Sequence, residues 1–405
     1  KYIQSMWRII MPNYTLKHKD HNLCTFAHNR HQIDYAAFKK ASLNELPLPL
    51  WRVFNYKEEF IEYETEDFLF ANEEGCYLLE NWLSDREIPV NRDNFHKYIQ
   101  RGKTARQWML ENNAFAFTDC YWIEKETENL YWNDILKKLA DVDEFYTVKD
   151  TNKSYKGYNS TLGGELEKFW YKQNNVLKLC KKVDKQYDIL NAREVIASLI
   201  YQMQGYPYYC NYQFLYDSQN EVIGCTCNAF TDSNTELITA FDLLEKDNFT
   251  QQDNVYELII QAAVSLGLSE TCVREYMDIQ TIVDFLITNR DRHQGNIGFL
   301  RDADSLKLIQ PAPVYDSGSS KNKEGEYPES VTDTTVNGLY PTETECLSHV
   351  YNWKLIDTSK LPDASKINEI LSQCVYLSEY RKQKLIDLYI GKVEYLRTLQ
   401  ENMVQ

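Results

Sequence analysis

The sequence lacks two features that would define large classes of protein. It has no run of about 18 apolar residues, so we expect no membrane-spanning helix. It also has no excess of positive charge, because 44 lysines and arginines face 60 aspartates and glutamates, for a net charge of −16. Proteins that bind nucleic acid or an anionic membrane surface usually present a basic face. The charge balance therefore argues against both kinds of partner.

The ten cysteines include no Cys-x-x-Cys pair, and the two closest are Cys225 and Cys227. A chain of this length does not depend on disulfides, so we interpret its cysteines as reduced, buried thiols and expect a cytoplasmic protein. Tyr2 to Met6 resembles the scar of a protease tag, so the native start is expected at Met6 and residues 1–5 are left out of fold reasoning.

What the sequence does contain is typical of a globular protein. Hydrophobic residues make up 43% and aromatic residues 14%, including 30 tyrosines, whereas disordered chains are poor in aromatics. The length predicts two or three domains. Residues 6–150 are rich in tryptophan and acidic segments, and we predict an accessory α+β domain there, followed by a linker within 131–160.

Local patterns predict strands early and helices late in the rest of the chain. Strands are expected at 167–172, 175–180, 209–215 and 221–229, and helices at 191–204, 255–266, 277–288 and 379–400. In the first part, a strand or two are expected before residue 31, and helices at 75–84, 92–100 and 104–111. This order is that of an α+β, two-lobed fold, with a small β-rich lobe at 151–235 and a helical lobe at 236–405.

The densest chemical signal is the polar loop Asp291-Arg292-His293-Gln294-Gly295-Asn296, which follows an apolar helix. An aspartate and an asparagine five residues apart on one loop suit phosphoryl transfer, because the aspartate can orient a hydroxyl nucleophile and the asparagine oxygen can bind a metal. Asp316 follows a short β-like run and precedes small residues, which suits a Mg²⁺ ligand.

A lysine and a glycine pair precede this loop. Lys178 lies in an alternating apolar and cationic run, and Glu194, at the start of the next helix, is expected to pair with it. A lysine on such a strand supplies a positive charge for phosphates. The glycine loop, residues 160–168, contains Gly163 and Gly164, which let backbone N–H groups approach phosphates closely.

Together these elements resemble the HipA-like serine/threonine kinases over about residues 160–400. The matching elements are the Gly-Gly-x-x-x-Lys loop that ends at Lys168, the strand lysine, the helix glutamate, the Asp-Arg-His-x-x-Asn loop and the Tyr-Asp-x-Gly run at Asp316. Segments 16–20 and 117–122 resemble sequences that precede such cores in some low-GC bacterial proteins. The family loop often reads Gly-Ala-Gln, whereas Gly164-Glu165-Leu166 stands here.

The resemblance implies a two-lobed kinase that uses ATP and Mg²⁺ to phosphorylate serine or threonine of a protein or peptide, with a small regulatory partner protein compatible with this role. Asp291 would be the catalytic base, Asn296 and Asp316 would hold Mg²⁺, and Lys178, oriented by Glu194, would bind phosphates. The remaining nucleotide contacts would come from Ser160, Thr161, Gly163, Gly164, Lys168, Cys227, Asn228 and Phe230. Ser160 or Thr161 would be a site of autophosphorylation.

Other functions remain open from the sequence. Lipid kinases share an Asp-Arg-His/Asn-x-x-Asn loop, but Lys321 and Lys323 after Asp316 are offset by nearby glutamates, which leaves no basic loop for an inositol phosphate. A nucleotide-binding module without turnover is a third reading. His18, His21, Cys24, His28 and His31 superficially suit Zn²⁺, but their alternation along strands places them on both faces, so we favour no metal there. We expect His293 to pack under its loop and to hydrogen-bond the backbone.

Overall fold

The computed structural model describes residues 13–29, 32–145, 154–182, 188–245, 254–318, 331–332 and 334–402, and every structural statement below concerns these ranges. Met6, His31, Lys321 and Lys323 lie outside them. Within the described ranges, no helix is both long and apolar enough to cross a membrane.

The strands form three separate antiparallel sheets. The first has the order β4-β5-β3-β2-β1-β6, the second β7-β8-β10-β9 and the third β11-β12-β13. The strands are β1 Asn13–His18, β2 His21–His28, β3 Ile33–Lys39, β4 Ile61–Glu64, β5 Phe68–Ala71, β6 Tyr121–Lys125, β7 Lys168–Gln173, β8 Val176–Lys182, β9 Gln213–Tyr216, β10 Val222–Asn228, β11 Thr235–Thr239, β12 Gly298–Asp302 and β13 Leu308–Pro311.

Helices cover the first sheet and build most of the C-terminal half. They are α1 Trp51–Asn55, α2 Lys57–Phe60, α3 Glu73–Asp85, α4 Ala105–Glu111, α5 Trp132–Leu136, α6 Asp188–Gln204, α7 Ala240–Glu245, α8 Val255–Ser265, α9 Glu270–Ile287, α10 Glu343–Ser348, α11 Ala364–Ser372 and α12 Glu379–Asn402. Short 3₁₀ turns are Lys40–Glu45, Leu48–Leu50, Phe95–Lys97, Lys137–Leu139, Gly157–Asn159, Gln294–Asn296, Trp353–Leu355 and Thr358–Lys360.

The predicted α+β, two-lobed architecture with an N-terminal α+β part is confirmed. The second sheet and α6 form the small lobe, while α8, α9 and the C-terminal helices form the larger one. One apolar core joins α6 to the helical lobe, because Ile189, Ile196 and Ile200 pack with Ile282 and Leu286 of α9. The lobes therefore share one helix, and a cleft opens beside it. The proposed domain boundaries at 150 and 235 stay a prediction.

Two local predictions were wrong. Residues 92–100 form only a 3₁₀ turn, because Asn94 adopts a left-handed backbone with φ of +54°, so the local backbone bonds around it are those of turns and do not continue into an α-helix. The described parts of 131–160 are not a linker, since Trp132, Ile135 and Tyr158 are buried in a cluster that also holds Trp170 of β7. The stretch is mostly polar, and its few buried residues are widely spaced, so no periodic pattern in the sequence revealed them.

Candidate active site

The main cleft lies between the small-lobe sheet and the loop that follows α9, and it has a volume of about 910 Å³. Most of the residues predicted for a nucleotide site line it, and so do side chains of the N-terminal part such as Trp82 and Arg86. The predicted residues that line the cleft are Thr161, Gly163, Gly164, Lys168, Cys227, Asn228, Phe230, Asp291, Asn296 and Asp316. Ser160, Lys178 and Glu194 are not among them.

The lysine that meets Glu194 is Lys181, so the assignment of this role to Lys178 was wrong. The Lys181 ammonium donates to the carboxylate of Glu194 and, at 2.5 Å, to Oδ1 of Asp316. Lys181 and Glu194 are both almost fully buried. Glu194 was placed correctly as the helix partner of a strand lysine, and it lies behind the cleft wall rather than in it.

Strand alternation explains the difference. On β8, residues 177, 179 and 181 share one face, and Lys178 shares the opposite face with Cys180. Leu179 and Lys181 line the cleft, whereas Lys178 pairs in register with Tyr171, whose hydroxyl hydrogen-bonds Thr226 on that opposite face. The signal that could have found Lys181 is the same alternation, counted from the apolar Leu177 and Leu179.

Asp316 sits on a tight turn that α6 holds in place. Its φ of +55° is in the left-handed region, and the N–H of Ser317 donates to Oε2 of Glu194 at 2.9 Å. A side chain at Gly318 would come within 2.7 Å of the Leu190 carbonyl oxygen, so only glycine lets the turn lie this close to the helix. Glu194 thereby orients both Lys181 and the loop of Asp316.

The charged groups around Asp316 stabilise the ionised forms of one another. Burial opposes ionisation of Asp316, but the ammonium groups of Lys181 and Lys168 outweigh it and hold the pKa of Asp316 well below its usual range. Burial likewise opposes the charge of Lys181, but Asp316 and Glu194 outweigh it and raise the pKa of Lys181. Both groups are therefore charged at neutral pH.

Lys168, the end of the glycine loop, differs from Lys181. Within the described residues its ammonium makes no hydrogen bond or ion pair, and burial lowers its pKa to about 8, although the charge of Asp316 acts in the opposite direction. By its accessible surface Lys168 is half-buried, and a partly desolvated cation without a direct ion pair is costly. Lys168 therefore favours an anionic ligand in the cleft.

The loop after α9 is built on a buried ion pair. The helix ends where Thr288 takes a left-handed backbone with φ of +58°, and Arg292 then returns to bind Asp284 of the helix through Nε at 2.7 Å and Nη2 at 3.0 Å. Arg292 also donates to the carbonyl oxygens of Asn296 and Tyr315. One buried guanidinium thus fixes the loop of Asp291 against the turn of Asp316.

Asp291 and Asn296 are presented by this frame. The Asn296 amide nitrogen donates to the backbone oxygen of Asp291 at 3.0 Å, which leaves its Oδ1 for another partner. The Asn337 amide donates to Oδ1 of Asp291 at 2.8 Å, and its backbone N–H donates to the Arg290 carbonyl. Burial raises the pKa of Asp291, which moves it toward the range of a general base. No sequence motif pointed to Asn337, which comes from a distant segment.

At the N-terminal end of the glycine loop, the two candidate phosphorylation sites have different environments. Ser160 is buried, and its hydroxyl has no hydrogen-bond partner within the described residues. Thr161 lines the cleft and donates to the backbone oxygen of Phe115 at 2.9 Å. Gly164 has a φ of +85°, and a Cβ there would come within 2.9 Å of the Lys168 Nζ. The positive φ is the reason that the loop favours glycine at 164, since the flexible end of the Lys168 side chain could move aside.

The far end of the cleft is apolar. Cys227 is buried on β10, and Trp170 and Leu179 line the same wall. Phe230 stacks on Tyr315 with ring centroids 5.8 Å apart. Such a wall suits a flat aromatic base, with phosphates directed toward the lysines.

The fold divides the alternative metal cluster, because His18 and His21 both approach Oε2 of Glu45, at 3.8 and 2.6 Å, while His28 and Cys24 have other neighbours. His21 binds Glu45 at the surface, His28 lies beside Arg106, and Cys24 is buried elsewhere on the sheet. Within the described residues, ligand atoms of His18, Cys120 and Glu236 do lie within 4.8 Å of one another, but Glu236 is already engaged by Arg301 and His18. His293 is exposed and accepts a hydrogen bond from the Gly295 N–H, so its predicted backbone contact is present but its burial is not.

No protein-family model matches the chain, and no curated protein matches it. Among solved structures it is similar to the Helicobacter pylori proinflammatory kinase CtkA, at 20% identity over 60% of this chain and 94% of that chain, with a TM-score of 0.44. It is also similar to Shewanella oneidensis MR-1 HipA in a toxin–antitoxin complex with HipB and operator DNA, at 10% identity over 95% of this chain and 97% of that chain, with a TM-score of 0.46. At such identities and scores, conclusions about function rest on this chain's own residues.

Proposed function

We propose that the protein is an ATP- and Mg²⁺-dependent kinase that transfers the γ-phosphate to serine or threonine of a protein or peptide. The observation that carries this proposal is the convergence in one cleft of the Lys181–Glu194–Asp316 cluster and the Asp291–Asn296 loop. A strand lysine held by a helix glutamate, a metal aspartate and an aspartate–asparagine loop are the parts that kinase chemistry requires.

Each side chain has a role that follows from its position. Lys181 and Lys168 offer positive charge to the phosphates, and Asp291 accepts the proton of the attacking hydroxyl. The donor set fits a hard cation, because Asp316 and Asn296 present oxygen atoms to the cleft, and these two would hold Mg²⁺. A Mg²⁺ ion held by these two residues would supply positive charge to offset the negative charge of the phosphates. Arg292 holds the loops of Asp291 and Asp316 in position relative to each other and takes no part in the reaction.

Two substitutions on one strand test the nucleotide site. Lys181→Met should weaken ATP binding, because it removes the charge between Glu194 and Asp316, whereas Lys178→Met is a matched control that faces away from the cleft. Calorimetric titration with ATP, with Mg²⁺ and with EDTA, measures both. Equal effects of the two variants would contradict the site, and unchanged affinity in EDTA would contradict the metal assignment.

Asp291→Asn separates an enzyme from a binding module. A general base contributes about 10²- to 10⁴-fold in rate, so turnover should fall by on the order of a hundredfold or more while ATP affinity changes much less. Incubation with γ-labelled ATP, followed by mass spectrometry of the protein and of a proteome extract, detects transfer and tests Ser160 and Thr161. ATP binding by the wild type with no transfer to any acceptor would favour the binding module.

A further inference from the structure

Residues 91–98 of the N-terminal part, named here the clamp segment, hold the glycine loop from behind. The segment has little regular structure of its own, and its polar groups bond residues 162–168. Residues 162–166 and Lys168 of the loop line the cleft, whereas none of residues 91–98 does. The contact consists of hydrogen bonds to particular backbone and side-chain groups, which are more specific than ordinary packing between domains.

Arg92 is the centre of the contact. Its side chain is only 3% exposed, and its guanidinium donates to three backbone oxygens of the glycine loop, those of Leu162, Gly163 and, at 2.9 Å, Leu166. The ring of Tyr98 lies beneath the guanidinium, 5.1 Å away. No carboxylate in the described residues pairs with Arg92 in these contacts; the donors of Nη1 and Nη2 serve the loop backbone, while the buried Nε has no hydrogen-bond partner within the described residues.

This bonding sets the direction of the loop amides. In a trans peptide the carbonyl oxygen of one residue and the N–H of the next point in opposite directions. Because the oxygens of Leu162 and Gly163 point at Arg92, the N–H groups of Gly163 and Gly164 point away from it. Both glycines line the cleft. Backbone N–H groups turned outward in this way form a binding surface for phosphate.

The ends of the loop are fixed as well. The Tyr98 hydroxyl donates to the backbone oxygen of Lys168 at 2.6 Å and accepts from its N–H at 2.8 Å. The N–H of Asp93 donates to the Glu165 backbone oxygen at 2.9 Å, and the Asn91 amide donates to the Glu165 side chain at 2.7 Å. Asn94 and Lys97 reach Glu167.

We propose that the clamp segment positions the glycine loop for the phosphates of ATP and that Arg92 is its principal positioning residue. This inference rests on the proposed function, since it names a further determinant of the same nucleotide site. It gives the N-terminal part a role in nucleotide binding that acts through the position of the glycine loop. Residue Glu165, which departs from the usual kinase loop, is the residue that the segment binds through Asn91 and Asp93.

Arg92→Lys in the full chain tests the proposal. Lysine keeps the charge but lacks the planar fork that serves several acceptors at once. The loop should then be less ordered, and ATP–Mg²⁺ affinity should fall by about tenfold or more, because binding must first order the loop. The KM for ATP should rise, while kcat at saturating ATP should change by less than about threefold.

Arg106→Lys is the matched control. Arg106 is similarly buried in the N-terminal part, but it contacts Glu80, Ser84 and Glu87 and does not touch the loop. Hydrogen exchange of residues 160–168 should speed up in Arg92→Lys only. Wild-type affinity and exchange in Arg92→Lys, or an equal loss of affinity in Arg106→Lys, would overturn the proposal.

Two further outcomes keep the inference separate from the proposed function. If Arg92→Lys does not fold, Tyr98→Phe removes only the hydroxyl that bridges both backbone groups of Lys168, and it should also raise loop exchange and weaken ATP binding; unchanged values would overturn the proposal. ATP binding by the wild type without phosphate transfer would overturn the kinase and leave the clamp standing. No ATP binding by the wild type would overturn both.

Discussion

At the scale of single residues, the site depends on two lysines with opposite environments. Lys181 is held by Glu194 and Asp316, and its charge is stabilised before any ligand arrives. Lys168 has no such pair in the described structure, and burial lowers its pKa to about 8. Lys181 therefore stabilises the structure of the site, whereas Lys168 remains available to bind an anion.

This difference predicts a pH dependence of ATP binding. A bound phosphate favours the protonated ammonium, so the pKa of Lys168 should rise on binding toward the ordinary value of about 10.4. ATP affinity should therefore be highest below pH 8 and should fall by about tenfold between pH 7.5 and 9.5, as Lys168 of the free protein loses its proton.

Lys168→Arg provides the control for that titration. Arginine stays charged throughout this range, so the affinity of the variant should be nearly flat with pH. Calorimetry at several pH values, in buffers of different ionisation enthalpy, would show proton uptake in the wild type that the variant lacks. Parallel curves for the two proteins would contradict the assigned role of Lys168.

Sequence patterns identified the loop residues of the candidate site better than the residues that support them. Asp291, Asn296 and Asp316 lie in short motifs, so their spacing alone was enough to select them. The sequence pattern predicted Lys178, and Lys181 was not considered, although alternation along β8 places the two lysines on opposite faces; the pairing of β8 with β10 shows which face meets the cleft. Asn337 and Arg92 act through long-range contacts that no local pattern records.

At the scale of elements, α12 fixes the base of the loop that carries Asp291. Lys392 is fully buried and donates to the backbone oxygen of Phe285, to the hydroxyl of Thr288 and, at 2.7 Å, to Glu343 of α10. Burial lowers the pKa of Lys392 to about 8, although Glu343 acts in the opposite direction. The end of α9, from which the loop of Asp291 starts, thus depends on a buried ion pair.

Breaking this pair from one side should be costly. Lys392→Met leaves Glu343 buried without its cation, and removing one partner of a buried pair costs about 3–5 kcal/mol. The double variant Lys392→Met with Glu343→Gln should lose clearly less, because no unpaired charge remains. Urea unfolding measures both free energies. A single variant within about 1 kcal/mol of the wild type would contradict the role given to the pair.

Long regular elements were also the ones that could be predicted from sequence. Helices α6, α8, α9 and α12 carry apolar residues at helical spacing, and their predicted ranges overlap the observed ones. The failures at 92–100 and 131–160 share a cause. In both, the backbone or a few large side chains are satisfied by partners far away in sequence, so local periodicity carries no information about them.

At the scale of the whole molecule, the N-terminal part and the two-lobed part share a core. Trp122 of β6 and Trp132 pack in the same cluster as Trp170 and Leu162 of the small lobe. Beside this cluster, Arg301 of β12 binds Glu236 at 2.7 Å in a fully buried pair. Two residues of the N-terminal part also bind this pair. His18 binds the Glu236 carboxylate, and the Tyr121 hydroxyl accepts a hydrogen bond from Arg301.

A shared core of this kind predicts that the protein unfolds as one unit. Trp122→Ala removes a fully buried ring from the N-terminal side of the cluster, at a cost of about 3–5 kcal/mol. Scanning calorimetry of the wild type should give a single transition with equal calorimetric and van't Hoff enthalpies, and the variant should keep one transition at a lower temperature. Amide exchange in β7 and β8 should accelerate together with exchange in β1 and β2, although Trp122 belongs to the first sheet. Two resolved transitions in the variant, with unchanged exchange in β7 and β8, would show instead that the glycine loop is held by a part of the chain that can unfold independently.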